Sequence, residues 1–267
     1  DVLGGLGSQQ VTGLTPEQLG VLSGTQVGAL GTMAVVSLND KQLGAITVEA
    51  VGQMRAEQLG MMRSTQVVGF TTAQVRALGS EQIGAFGTGA IRGFGVVQVR
   101  ALGSDQVAGL VPEQVRVFSG EQVGSLTSGA VAGLSEGLMG AFTSVQAAGF
   151  GTAQVRGLRG EQIGALGVGA VRGLSPVVVG ALVSDQVAAL KPEQVVGLSA
   201  VQVGSLASGA VRGIGTDVLG GLGSQQVSGL TAVQLGVLSG TQVGALGTEA
   251  VVSLNDKQLG AITVEAV

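Results

Sequence analysis

One eight-residue unit recurs without insertion or deletion from Asp1 to Val267. Set in rows that begin at Leu14, the chain reads Leu-Thr-Pro-Glu-Gln-Leu-Gly-Val, then Leu-Ser-Gly-Thr-Gln-Val-Gly-Ala, about thirty-three times over. A period this short and this strict excludes a globular core assembled from varied elements. Each unit is a single small piece of structure that buries its apolar side only by stacking on its neighbours. The expected architecture is one continuous repeat array over residues 1–267, coiled into an elongated solenoid.

The residue types within the unit define its local structure. With the slots numbered one to eight from the Leu14 position, slot one is Leu, or Phe, Ile or Met in its place, and all six Phe fall there. Slot six is Val, Ile, Leu or Met nearly throughout, so slots one and six are the expected core. Slot two is commonly Ser, Thr, Asn or Gly, and slot five is Gln in about two thirds of units. A Ser or Thr followed three residues later by Gln is a capping box. Slots one and six then occupy the two positions of a hydrophobic staple. All four Pro (Pro16, Pro112, Pro176 and Pro192) sit at slot three, the first helical position, where a missing amide costs nothing.

Charge placement selects the same register. Glu17, Glu81, Asp105, Glu113, Glu121, Glu161, Asp185 and Glu193 stand at slot four in the first turn, where the helix dipole favours an anion. Arg76, Arg92, Arg100, Arg116, Arg156, Arg172 and Arg212 stand at slot seven, near the end that favours a cation. Gly at slot seven elsewhere is expected to take the left-handed conformation that ends a helix. One continuous helix is excluded, because eight residues overshoot two turns by about 80° and the apolar slots would spiral round the surface. The fold class expected is all-α, a superhelix of very short helices, one per unit. The alternative is a β-solenoid, with Val-Gly-Ala-Leu-like segments as short strands between Gly-Ser corners.

Two slower periods overlie the octapeptide. Gly89-Ala90-Ile91, Gly129-Ala130-Val131, Gly169-Ala170-Val171 and Gly209-Ala210-Val211 are forty residues apart, as are Arg76, Arg116 and Arg156. Five units are then either one turn of the solenoid or merely the length that was duplicated. Residues 1–51 also recur as 217–267 with four differences. Both ends are ordinary repeats without the polar caps that usually close a solenoid. The chain therefore reads as a window on a longer array or as a subunit that stacks end to end, with apolar faces at Asp1 and Val267. No signal peptide is expected in the stretch given.

Composition narrows the function. The chain has no His, Cys, Trp or Tyr and is 11% charged. The usual zinc, haem and iron–sulfur ligands are missing, as are Ser-His and Cys-His nucleophile pairs. The carboxylates are dispersed, without the paired acids of glycosidases or the spacing of calcium loops. No catalytic, cofactor-binding or metal-binding residue is therefore expected, and no cofactor; the chain reads as no enzyme. A net charge of −4 gives no basic face for nucleic acid. Polar residues every few positions exclude a membrane span. The Gln column reads as capping in preference to a ladder between turns or a glycan-binding row. Ser and Thr read as caps in preference to an ice-binding array or glycosylation sites. The Arg columns are expected to form a solvated face neutralised by the acids at slot four.

The pattern Leu-Thr-x-x-Gln-Val-x-Ala, as in Phe70-Thr71-Thr72-Ala73-Gln74-Val75-Arg76-Ala77, resembles octapeptide tracts of very large bacterial surface and adhesin-like proteins. The resemblance covers the whole chain, but it is to a style of repeat and not to a family of known chemistry. It implies an extracellular bacterial fibre or stalk at the cell surface, whose partner is itself, assembled end to end or laterally; any surface partner is unknown. The alternative is a solenoid module that binds a protein or glycan. A recognition surface concentrates aromatic and Arg hot spots, whereas every Phe here occupies a core slot. Circular dichroism is expected to show substantial helix; a strand-type minimum with little helical signal selects the β-solenoid.

Overall fold

A computed structural model describes residues 6–262. The terminal faces expected at Asp1 and Val267 lie outside the described residues. The chain forms two compact units, Asp1–Leu134 and Ser135–Val267. The described residues contain thirty-two α-helices of four to six residues, from α1 (Ser8–Thr12) to α32 (Asp256–Leu259), and no strand. The β-solenoid is thereby set aside.

Every helix has the same start. Slot two is the N-cap in all thirty-two, always in extended conformation, whether it is Thr15, Gly79 or Val111. Ser, Thr or Asn there accepts from the amide three residues on, as Ser119 does from Gln122 at 3.1 Å, except at Thr143, whose hydroxyl donates to Oε1 of Gln146. Pro16, Pro112, Pro176 and Pro192 each open a helix at its first position. Slot four lies in the first turn; at Glu17 its own amide and the Thr15 hydroxyl hold the carboxyl below the usual carboxylate range.

The helix ends differ from the expectation. No described glycine has a positive φ, so no left-handed residue terminates a helix. The slot-one amide instead donates to the slot-six carbonyl three residues back, as Leu110 does to Val107 at 3.2 Å. Slot two then turns extended to cap the next helix. A tightened last turn satisfies the final carbonyls without a left-handed residue, and the bend itself becomes the next start.

Slots one and six form the core of each unit. Leu19, Val27, Leu43, Leu59 and Leu219 are among the fully buried residues. Phe86 packs edge-on against Phe70 and Phe94, with ring centroids 6.2 and 5.3 Å apart, so slot-one side chains of neighbouring octapeptides meet inside the coil. Within each unit, helices stack on the one three further along. In Asp1–Leu134, α3 (Gly24–Ala29) meets α6 (Val48–Gly52), and α10 (Ser80–Ala85) meets both α7 (Ala56–Gly60) and α13 (Ser104–Ala108). In Ser135–Val267, α22 (Pro176–Val179) meets α25 (Ala200–Ser205), which meets α28 (Ser224–Gly229).

Hydrogen bonds between turns join residues 25 to 31 apart. One turn therefore takes more than three and fewer than four octapeptides, and the forty-residue period is not a turn. That period instead recurs in Ala50, Ala90, Ala130, Ala170, Ala210 and Ala250, which replace Gln at slot five and are buried, as is Ala34 off the period.

Main chains of adjacent turns touch, which explains the small residues at slots seven and eight. A Cβ on Gly84 would lie 2.5 Å from the carbonyl oxygen of Gly109, and a Cβ on Gly109 would fall on the main chain of Ser80. Gly89, at slot four, has open space around it. Gly109→Ala is expected to lower stability by about 1–3 kcal/mol through overpacking. Gly89→Ala is expected to raise it by about 0.5–1 kcal/mol, because Ala is the better helix former. Urea midpoints compare the two; equal shifts would remove the close approach as the reason for the glycines.

Candidate functional site

The side chain that recurs most regularly beneath the surface is the slot-five Gln. Its position three residues after the N-cap aims the carboxamide back at the start of its own helix. In Gln114 the oxygen Oε1 accepts from the Val111 amide at 2.9 Å. Gly79 and Arg55 donate in the same way to Gln82 and Gln58, at 2.7 Å in both. The Gln half of the capping box thus persists where slot two carries no hydroxyl. The reciprocal half forms only at Ser, Thr or Asn caps, such as Thr71 and Asn39.

The other end of the carboxamide does what the sequence reading set aside. Nε2 of Gln58 donates to the carbonyls of Val27 and Leu30 at 3.0 and 2.8 Å. Gln114 donates to Ile83 and Phe86 at 2.9 and 2.7 Å. In the second unit Gln186 donates to Val155 and Leu158 at 2.7 and 2.6 Å, and Gln194 to Ile163 and Leu166 at 3.0 and 2.7 Å. The acceptors are a slot-one carbonyl 28 residues back together with a slot-six carbonyl 31 residues back, or, for Gln42, Gln242 and Gln258, a slot-seven carbonyl 30 residues back. One carboxamide therefore caps its own helix and ties it to the preceding turn, so the Gln column is both cap and ladder. Gln58, Gln74, Gln114 and Gln162 are essentially buried, and among the described residues no buried side-chain nitrogen or oxygen lacks a partner.

The remaining polar residues sit around this seam. Arg55 and Arg63, at slot two, reach the preceding turn and donate to the carbonyls of Leu30 and Val36. The slot-seven arginines point to solvent, but the expected neutralisation by slot-four acids is not what the fold produces. Within Asp1–Leu134 the one ion pair between described residues is Arg116–Glu113, at 3.7 Å and exposed. That pair belongs to the one unit that carries both a slot-four acid and a slot-seven arginine; the other slot-seven arginines have Ala, Gly or Val at slot four. The stacking of helix on helix then sorts like charges into columns.

Among the described residues no group of three or more His, Cys, Asp or Glu is placed to hold a metal ion, and no helix is long and apolar enough to cross a membrane. The larger concavities are open grooves between turns. One of about 820 Å³ is lined by Leu174, Pro176, Leu198, Ala200 and Gln226, with Arg172 at its rim. The chemistry that recurs along the described residues is the pairing of amides.

The ladder predicts an asymmetric response to an isosteric change. Gln114→Glu keeps the capping oxygen but replaces a donor with a carboxylate facing the carbonyls of Ile83 and Phe86. It is expected to cost about 3–5 kcal/mol, the range for an uncompensated buried charge. Gln18→Glu, at an exposed Gln that bonds only within its own cap, is expected to change stability by less than about 0.5 kcal/mol. Denaturant midpoints of the two variants measure the difference, and equal effects would leave the Gln column with capping alone.

Comparison with known proteins gives one finding. Residues 51–88 match the profile of the ALTTAQ repeat, and the matched stretch includes Gly69-Phe70-Thr71-Thr72-Ala73-Gln74. No curated protein matches the chain. Over that segment the chain is similar to the ALTTAQ repeat, and it is a repeat protein built of many short helices.

Proposed function

We propose that the chain is a structural spacer: a repeat protein that forms an elongated extracellular filament, fibre or stalk at a bacterial surface, and no enzyme. The observation that carries this reading is the use made of Gln. The carboxamide is the most versatile polar group the chain possesses, and in unit after unit one end is consumed in capping its own helix and the other in joining that helix to the preceding turn. A protein whose recurring polar residue is spent on continuity is built for length and regular shape. Burial at slots one and six is insufficient for a single octapeptide, so stability accrues with the number of stacked turns. The pattern's resemblance to tracts of large bacterial surface proteins supports the location. A turn from a second copy offers the same amides and carbonyls as the next turn of the same chain, which makes the chain its own best partner.

Small-angle scattering at low concentration tests the shape. Deleting one forty-residue block, such as 81–120, preserves the octapeptide frame. The maximum dimension is expected to fall in proportion to chain length while the cross-section stays constant. A compact particle whose size changes only with the cube root of its mass would remove the filament reading.

A further inference from the structure

The sorting of charge into columns carries a second consequence for the unit Asp1–Leu134. Glu57, Glu81 and Asp105 are 24 residues apart and sit on α7, α10 and α13, which stack one on the next. All three are exposed. Glu57 and Glu81 line one open groove of about 650 Å³ between their turns together with Arg55, whose guanidinium is bonded to the Leu30 carbonyl. The arginines follow the same spacing on other helices. Arg76 and Arg100 lie on α9 (Thr72–Ala77) and α12 (Val96–Arg100), which stack. Arg92 lies on α11 (Thr88–Gly93), and Arg116 directly follows α14 (Pro112–Val115), which stacks on α11. Arg76, Arg92 and Arg100 have no carboxylate within ion-pair distance among the described residues; Arg116 has Glu113 alone. The second unit repeats the acidic column: Glu136, Glu161 and Asp185, on the stacked α17 (Glu136–Met139), α20 (Gly160–Gly164) and α23 (Ser184–Ala188), line one groove of about 580 Å³ together with Lys191.

We propose that the acidic columns are lateral docking surfaces for the arginine columns of a second copy of this chain, so that arrays associate side by side. Two features argue for a second copy as the occupant. The charges are complementary, and in Asp1–Leu134 they are matched in spacing, because acids and arginines both recur every three octapeptides on helices that stack. Seating one arginine in the groove between Glu57 and Glu81 brings the next between Glu81 and Asp105. A single exposed ion pair contributes little. Several acting together hold two arrays because each successive pair forms intramolecularly. Such contacts weaken steeply as the screening length shrinks from about 30 Å at 0.01 M salt to about 3 Å at 1 M. The proposal rests on the reading of the chain as a fibre and adds how fibres bundle.

The test uses the whole chain in two charge-neutralised forms, followed by analytical ultracentrifugation. One carries Arg76→Gln, Arg92→Gln, Arg100→Gln and Arg116→Gln. The other carries Glu57→Gln, Glu81→Gln, Asp105→Asn, Glu136→Gln, Glu161→Gln and Asp185→Asn. The unaltered chain is expected to associate at low salt and to be monomeric at high salt. Each variant alone is expected to associate at least tenfold more weakly with its helical signal unchanged, and a 1:1 mixture is expected to restore association, since one supplies acids and the other arginines. Neutralising Glu17, Glu49 and Glu249, which lie off the columns, is expected to leave association intact. A monomer at low salt, association that survives in both variants, or a mixture that stays monomeric overturns the proposal. Scattering at high salt reads the lone chain: an elongated particle that never pairs removes lateral docking only, whereas a compact one removes the fibre.

Discussion

A buried carboxamide sets the terms for the rest of this structure. It has one acceptor oxygen and one donor nitrogen, and burying either unpaired is costly. The oxygen is satisfied by the amide at the start of its own helix, and the nitrogen by two carbonyls of the turn before. Those two demands hold together only when the helix start and the preceding turn stand at one separation. Glu supplies the oxygen but no donor, Leu supplies neither, and Asn is one methylene too short to serve both. An insertion of one residue would move each Gln of the following turn off its acceptors, which is a physical reason for a frame kept without a gap over 267 residues.

Once the turns are held at that separation, the main chains meet, and the composition follows. Gly84 and Gly109 are glycine because the neighbouring backbone occupies the space a side chain needs. None of the described glycines serves a left-handed turn. Slots one and six then fill the interior, and Phe70, Phe86 and Phe94 interlock there edge to face. The helices themselves are too short to be stable alone. Each is held by its cap, its staple and the turns on which it stacks, so order is a property of the array.

The same stacking explains the surface. Residues at one slot recur every 24 residues on neighbouring turns, so a column of like residues needs only a sequence that repeats with that spacing. Glu57, Glu81 and Asp105 form one such column, and Arg76 and Arg100 another. Polar chemistry that faces inward maintains continuity, while polar chemistry that faces outward is sorted by sign. That division suits a spacer whose sides meet other copies of itself.

The sequence by itself determined the helix frame: slot two as cap, Pro at the first helical position, and slots one and six as core. These features arise from contacts within eight residues, where propensity and capping chemistry operate and leave a readable pattern. Gln at slot five was legible as a capping residue for the same reason. Its second role was not, because the acceptors for Gln114 lie at Ile83 and Phe86, offsets of 31 and 28 that match neither the octapeptide nor the forty-residue period. The one signal was that the slot is Gln and never Glu, although either side chain completes a capping box. Only the tertiary structure decided the number of units per turn, the helix ends without left-handed glycine and the alignment of acids and of arginines into columns. Each depends on how far one turn rises above the last, a distance fixed by the reach of a carboxamide across the seam and invisible in any single repeat.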